Sequence, residues 1–299
     1  MLIFKNVNFY IIISFILYIF NLSLLYSNET YGNSFLAIKK EYLGKNQQFL
    51  NNSNIKIIIQ DEVEESHEVS MVVKIPKTLK DTNKIFILVD NNPIQLVTKI
   101  FPQKPLKSVG FNIRMEQDSY VRAAILDKKN IWNISSKKVI VKSPGGCSLP
   151  ACDPTKEVCE PRKLGKIVMH KYKRSSGDWR LKFKINHPMD TGLVTDPSSG
   201  KIIPEYHVNW LYFQNDEEEL AKAQTYGALS ANPTFILDFY DDFLEPSVKA
   251  TDTKGESVVQ AVTVTVKNVQ NERPAITGPS GGVHASNSYK SVNENIKSA

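Results

Sequence analysis

Short β-prone runs, each closed by turn residues, recur along most of this 299-residue chain and leave no room for a long helix. In the first block the predicted strands are Ile55–Ile59, Val69–Ile75, Lys84–Val89, Gln95–Ile100, Gly110–Met115, Tyr120–Leu126 and Lys138–Val141. Asp90-Asn91-Asn92-Pro93 and Asp127-Lys128-Lys129-Asn130 carry the turn chemistry between them. The second block repeats the pattern over Lys166–Tyr172, Trp179–Ile185, His207–Phe213, Glu218–Thr225, Thr234–Phe239, Ser247–Asp252 and Val258–Val266. Val262-Thr263-Val264-Thr265-Val266 alternates with period two, as a half-buried antiparallel strand does. Strands of this length and spacing, with no helical crossovers, exclude a βαβ sheet and favour sandwiches. The expected fold class is all-β: two tandem immunoglobulin-like β-sandwich domains, over residues 55–142 and 166–267.

The flanks differ. In the polar N-terminal segment 28–54, Phe35, Ile38 and Tyr42 fall on one face of a short predicted helix. Residues 268–299 are rich in Asn, Ser, Gly and Pro and read as a disordered tail. In residues 1–27, Lys5 precedes an apolar run from Phe9 to about Tyr26, which reads as a secretory signal peptide, with an uncleaved anchor as the other reading. The expected location is therefore periplasmic, with no membrane contact unless the signal segment is retained.

The formal net charge of +6 is carried by scattered lysines, without a dense basic run or base-stacking motif, so nucleic acid is not an expected partner. A basic surface steers anionic substrates or acidic partners instead. No Ser-His-Asp order, phosphate-binding glycine loop, zinc-protease helix or paired carboxylates appear, so no catalytic residues are assigned and the chain is not read as an enzyme.

The linker 143–165 is broken by Pro144, Pro150, Pro154 and Pro161 and holds all three cysteines, Cys147, Cys152 and Cys159. Cys147 follows Gly145 and Gly146, which free the backbone and permit close approach of another molecule. The segment predicts a presented thiol on a glycine-hinged arm. In an oxidising compartment Cys152 and Cys159 are candidate redox partners, and a local disulfide to Cys147 is the competing reading. The spacing Cys-x4-Cys-x6-Cys lies outside the usual zinc pattern, so no metal is assigned there.

A second constellation, His187-Pro188-Met189-Asp190-Thr191-Gly192, follows a strand and reads as a loop at a sandwich end; His187, Met189 and Asp190 form a candidate docking loop. His187, Met189 and His207 also admit a copper site, against the simpler reading of a His-Pro turn bonded to backbone with Met189 in the core. Glu62, Glu64, Glu65 and Glu68 with His67 read as a solvated acidic turn.

Taken together, the two blocks resemble the SoxYZ sulfur carriers, fused in one chain. The SoxY-like features are Asp90-Asn91-Asn92-Pro93, Asn112-Ile113-Arg114-Met115-Glu116-Gln117, Ser119-Tyr120-Val121-Arg122-Ala123-Ala124 and Gly145-Gly146-Cys147. The SoxZ-like features are the His187 loop, Gly200-Lys201-Ile202-Ile203-Pro204 and Ser230-Ala231-Asn232-Pro233. The resemblance implies a non-catalytic exported carrier that holds a sulfur intermediate covalently on Cys147. Its partners would be sulfur-oxidation enzymes, as in thiosulfate oxidation, or a quinoprotein dehydrogenase, as in dehydrogenase-associated fused forms. No cofactor is implied besides the covalent sulfur adduct. The chain departs from the family pattern at Ser148 and Leu149, which stand where trailing glycines are usual, and in tethering the arm at both ends. An immunoglobulin-like binding module with a local disulfide, or a periplasmic metal-binding protein, is the alternative.

Overall fold

The structure is a computed structural model that describes residues 33–150, 164–215, 218–243 and 246–261. Helix α1 (Asn33–Ile38) continues into a π-helical turn, Lys39–Leu43. The strands that follow are β1 (Gln48–Asn51), β2 (Lys56–Ile58), β3 (Glu62–Val63), β4 (Val69–Lys74), β5 (Lys84–Val89), β6 (Leu96–Pro102), β7 (Leu106–Ile113), β8 (Ser119–Leu126) and β9 (Ile131–Val141). The second half contributes β10 (Ile167–Lys173), β11 (Trp179–Ile185), β12 (Val208–Gln214), β13 (Glu219–Thr225), β14 (Thr234–Phe239), β15 (Ser247–Asp252) and β16 (Ser257–Ala261). The all-β class follows directly.

The halves are not separate beads on a linker. One sheet runs β1-β9-β8-β5-β6-β13-β12-β15-β16, with β3 also on β9, and the other runs β10-β11-β14-β7-β4-β2. Each sheet therefore crosses from one half to the other, through β6–β13 (Ile100↔Ala223) and β7–β14 (Phe111↔Phe235). Edge strands carry unpaired N–H and C=O groups, and joining the halves edge to edge satisfies those groups in both layers. A common core spans the junction: Phe183 stacks on Phe235 at 5.4 Å between centroids, and Phe111 tilts against Phe235 at 5.4 Å. Polar contacts cross it as well. Asp238 of β14, fully buried, accepts hydrogen bonds from Ser108 of β7 and from Arg180 and Arg174, and Lys107 pairs with Asp178 at 3.2 Å.

Strand β5 shows how a continuous apolar run arises in an antiparallel sheet. Ile85, Ile87 and Val89 enter the main core, while Phe86 and Leu88 on the opposite face pack with Phe35, Ile38, Leu43 and Trp132 beneath α1. Alternate side chains of a strand point to opposite faces, and here both faces are covered. The Trp132 indole N–H donates to the Leu43 carbonyl at 3.0 Å, and the Arg122 guanidinium lies 3.9 Å from the Phe35 ring centroid while forming a buried fork with Asp90.

The predicted strands fall on observed ones, with exact limits for Lys84–Val89, Trp179–Ile185, Thr234–Phe239 and Ser247–Asp252. Sequence reasoning missed β1 and β3, short edge strands paired parallel to β9 and without an alternating pattern. It also began β9 too late, because Asn133, Ser135, Ser136 and Lys137 hide the strand in polar residues. The N-terminal apolar run, the tail 268–299 and Val262–Val266 lie outside the described residues. Among the described residues, no helix is long and apolar enough to cross a membrane.

Candidate functional site

Leaving β9, the chain turns back across the end of the first sandwich and lays Cys147 against the second half. The turn is built on backbone. Lys142 N–H donates to Val63 O, Gly145 N–H to Glu116 O at 2.8 Å, and Gly146 N–H to Met115 O at 3.2 Å. Gly145 has φ +109°, in the region that favours glycine, and a Cβ there would lie 2.5 Å from Leu149 Cδ1. At Gly146 a Cβ would lie 2.2 Å from Ser66 O and 2.6 Å from Met115 O, both backbone atoms. The two glycines read from sequence as a hinge thus serve here as a packed seat: they let the arm close onto the sheet end.

The presented thiol is the main correction to the sequence reading. Cys147 is 0% exposed, with a free thiol. Its N–H donates to Glu116 Oε2 at 3.0 Å, and the same carboxylate takes the Ser148 N–H at 3.1 Å and the Ser148 hydroxyl. The Cys147 carbonyl accepts the Thr191 hydroxyl at 2.8 Å. Burial pushes the thiol up to about 12, the Glu116 charge pushes in the same direction, and Arg114 opposes them. In this state the sulfur is a protonated thiol at neutral pH and a poor nucleophile.

The parts that hold the arm come from motifs already noted for other reasons. Asn92 of the Asp90–Pro93 turn donates to Arg114 O at 2.7 Å and accepts Glu116 N–H at 2.8 Å, so it sets the segment that carries both Arg114 and Glu116. The acidic turn is more than a solvated one: Ser66 O accepts Met115 N–H at 2.9 Å and lines the Gly146 seat, and His67 Nε2 lies 3.3 Å from Leu149 O. Sequence reasoning gave Glu116, Arg114, Asn92 and Thr191 no role. Their signal was membership in the quoted motifs.

From the second half, the loop His187–Gly192 covers the arm. As an outward docking surface it is corrected: His187 is 3% and Met189 0% exposed, and Asp190 is half-buried. Met189 N–H donates to His187 Nδ1 at 3.2 Å, and the Met189 sulfur accepts Val208 N–H at 3.4 Å. This is the His-Pro turn with a core methionine. His207 faces Val208 O at 2.8 Å and Glu205 Oε1 at 2.6 Å through its two ring nitrogens, so neither is open to a ligand. Burial lowers His187 to about 4, which keeps the imidazole neutral. Among the described residues no group of three His, Cys, Asp or Glu side chains is placed to hold a metal ion. Cys152 and Cys159 lie outside the described residues.

Beside the arm is an open depression of about 510 Å³, lined by Asp90, Asn92, Glu116, Gln117, Ser148 and Leu193 among others. It gives the docked segment a solvent-facing side at Ser148, next to the exposed Leu149. Cys147 thus sits one residue inside the surface at the seam of the two halves, its backbone N–H bonded to one carboxylate and its carbonyl to one hydroxyl.

Comparison with known families fits that seam. The family model for the sulfur oxidation protein SoxY matches residues 39–147, and that for the sulphur oxidation protein SoxZ matches residues 168–263. The chain belongs to the SoxYZ family, with both components fused. The SoxY match ends on Cys147 itself. Among solved structures, the sulfur carrier protein SoxY from Chlorobium limicola f thiosulfatophilum is similar at 14% identity, over 37% of this chain and 97% of that one, with a TM-score of 0.33. No curated protein matches the chain. SoxY and SoxZ are carrier and partner proteins of sulfur oxidation rather than catalysts, and the fused SoxYZ chain is a carrier of that kind. In it the SoxY half supplies the arm and Glu116, and the SoxZ half supplies the lid, Thr191 and Pro188.

Proposed function

We propose that Cys147 is the carrier thiol, and that the docked arm is its resting state. The observation that carries this reading is the way Cys147 is held. Its backbone is pinned by Glu116 and Thr191, groups that water can replace, rather than knitted into a strand ladder. Opening the arm trades those hydrogen bonds for hydrogen bonds to water. The net cost is of order 1 kcal/mol for each neutral bond and about 1.5–3 for those to the carboxylate. Once out, the thiol loses the burial that holds it protonated, and returns towards the ordinary cysteine range, where thiolate is available for loading. The docked state shields the sulfur; the undocked state exchanges it.

On this reading the protein is exported to the periplasm, as the N-terminal apolar run supports. Enzymes of sulfur-compound oxidation, or a quinoprotein dehydrogenase system, load and unload Cys147 as a covalent sulfur adduct, with no other cofactor. Intact-mass spectrometry of protein isolated from its host tests this. Wild type is expected to carry a mass increment of one or more sulfur atoms, with or without oxygens, that reductant removes and that Cys147→Ser lacks. A quantitative disulfide from Cys147 to Cys152 or Cys159 that never exchanges with sulfur donors would overturn it.

A further inference from the structure

We propose that the Arg114 guanidinium is the docking site for the anionic end of a sulfur adduct on Cys147, a group of the thiosulfonate class, while the arm stays folded on the seam. Its biological use rests on the carrier reading above; the site itself does not.

Arg114 is 2% exposed, and a buried arginine is ordinarily paired. Among the described residues its side chain makes one hydrogen bond, from Nη2 to the Pro188 carbonyl at 3.1 Å, and its buried Nε has no partner there. Among the described residues no carboxylate lies within ion-pair distance; half-buried Asp190 acts on it only through space. Glu116, two residues along, is already committed to Cys147 and Ser148, and cannot turn to Arg114 without releasing the arm.

Arg114 and Cys147 converge on the same lid: Pro188 receives the guanidinium, and Thr191 holds the Cys147 carbonyl. Arg114 is also one of the charged groups whose field reaches the thiol. In the unloaded arm the thiol is neutral, so among the described residues the guanidinium has the distant field of Asp190 but no anion in contact. A terminal –SO₃⁻ on Cys147 supplies one, and its three oxygens suit the planar donor fork of arginine. The three donors on Glu116 disperse its charge and limit its repulsion of the adduct. Loading with an anionic group thereby strengthens docking, and a neutral adduct gains nothing from Arg114.

The test uses the full chain with Cys152→Ser and Cys159→Ser, so that Cys147 is the sole thiol. In mild denaturant, tetrathionate loads it: the thiolate attacks a central sulfur, the central S–S bond breaks, thiosulfate leaves, and Cys147 keeps –S–SO₃⁻. Methyl methanethiosulfonate gives the neutral control, –S–CH₃, with methanesulfinate leaving. After return to buffer, dithiothreitol removes each adduct, restoring the thiol and releasing thiosulfate or methanethiol as the dithiol closes to its disulfide. Each rate is divided by that of the same adduct in urea.

The anionic adduct is expected to be removed about tenfold more slowly than the neutral one, the size of one charge-assisted hydrogen bond. Arg114→Met abolishes this excess, and Arg114→Lys keeps part of it. Equal normalised rates in the otherwise wild-type chain overturn the proposal, whether or not Arg114→Met folds. An excess unchanged in Arg114→Lys and Arg114→Met overturns it too. Because the adduct is installed chemically, the outcome is independent of whether the host loads Cys147, which the mass of the isolated protein decides.

Discussion

Glu116 holds Cys147 by the backbone: one carboxylate oxygen accepts the Cys147 N–H at 3.0 Å and the Ser148 N–H at 3.1 Å, and the other takes the Ser148 hydroxyl. The latch therefore works on the arm rather than on the sulfur. It also places a negative charge where it opposes ionisation of the thiol.

Glu116→Ala removes three hydrogen bonds to an ionised acceptor and the charge that raises the thiol. Reaction with iodoacetamide at pH 8 is expected to accelerate by about 10- to 100-fold, from the ~1.5–3 kcal/mol of such a bond and 1.4 kcal/mol per decade. Glu116→Gln should fall between. A rate equal to wild type, with thermal stability unchanged, would show that the latch is not what limits access.

Gly146→Ala puts a methyl group into Ser66 O and Met115 O, backbone atoms that cannot swing aside. The arm is expected to undock while both sheets stay intact. Mass spectrometry after brief alkylation should show Cys147 modified, and hydrogen exchange should speed up at residues 145–149 but not in β5 or β8. A Gly146→Ala chain with its thiol still protected would refute the seat.

Wild-type thiol reactivity should rise late with pH. The folded thiol sits at about 12 against 9.0 for the free group, so the docked arm is favoured below pH 9 and loses that stability as pH rises towards 12. Stopped alkylation from pH 7 to 10 is expected to stay slow and opening-limited, whereas the same chain in urea follows an ordinary thiol titration. A native profile that superimposes on the urea profile would rule out the shielded resting state.

Acid acts through His187. Its imidazole is lowered from 6.5 to about 4 by burial, so the unfolded chain takes up a proton that the folded chain refuses. The folded state has its full advantage above pH 6.5 and loses it as pH falls towards 4, by up to about 3 kcal/mol at one pH-unit equivalent of 1.36 kcal/mol. His187→Asn keeps an acceptor for Met189 N–H and removes the titration. Urea midpoints measured from pH 7 to 4.5 should fall less steeply for the variant; parallel curves would contradict this.

The junction of the halves has its own acid sensitivity. Burial, which alone would raise Asp178, is outweighed by hydrogen bonds from Ser176 and Lys107 and by the Arg174 charge, and the carboxyl falls to about 2 from 3.8. Its contribution is present above pH 3.8 and is lost as pH falls towards 2. Asp178→Asn is expected to cost about 2 kcal/mol at pH 7 and to converge with wild type near pH 2. Equal stability at pH 7 would mean that Lys107 and Arg174 find other partners.

Much of the fold was legible because it is written in short-range pattern. Ile85–Val89 and Thr234–Phe239 carry enough β-branched and aromatic residues to be recognised without their neighbours. Strands β1 and β3 were not legible, since two to four residues on an edge need no pattern to pair with β9. Cys147 could be found as a candidate from Gly145-Gly146-Cys147, but its surroundings come from residues far away in sequence: Ser66, Asn92, Glu116 and Thr191. The same glycines fit a mobile arm and a tightly seated one, and local sequence does not distinguish them.

The amino-acid sequence by itself determined the all-β class and the family resemblance, because alternation, turn residues and motif order are local properties. Only the tertiary structure decided that both sheets run unbroken through the two halves and that the thiol is buried between them. Sheet edges and buried hydrogen bonds are settled by which distant groups come within reach, and at this seam those groups are Glu116 and Thr191, one from each half.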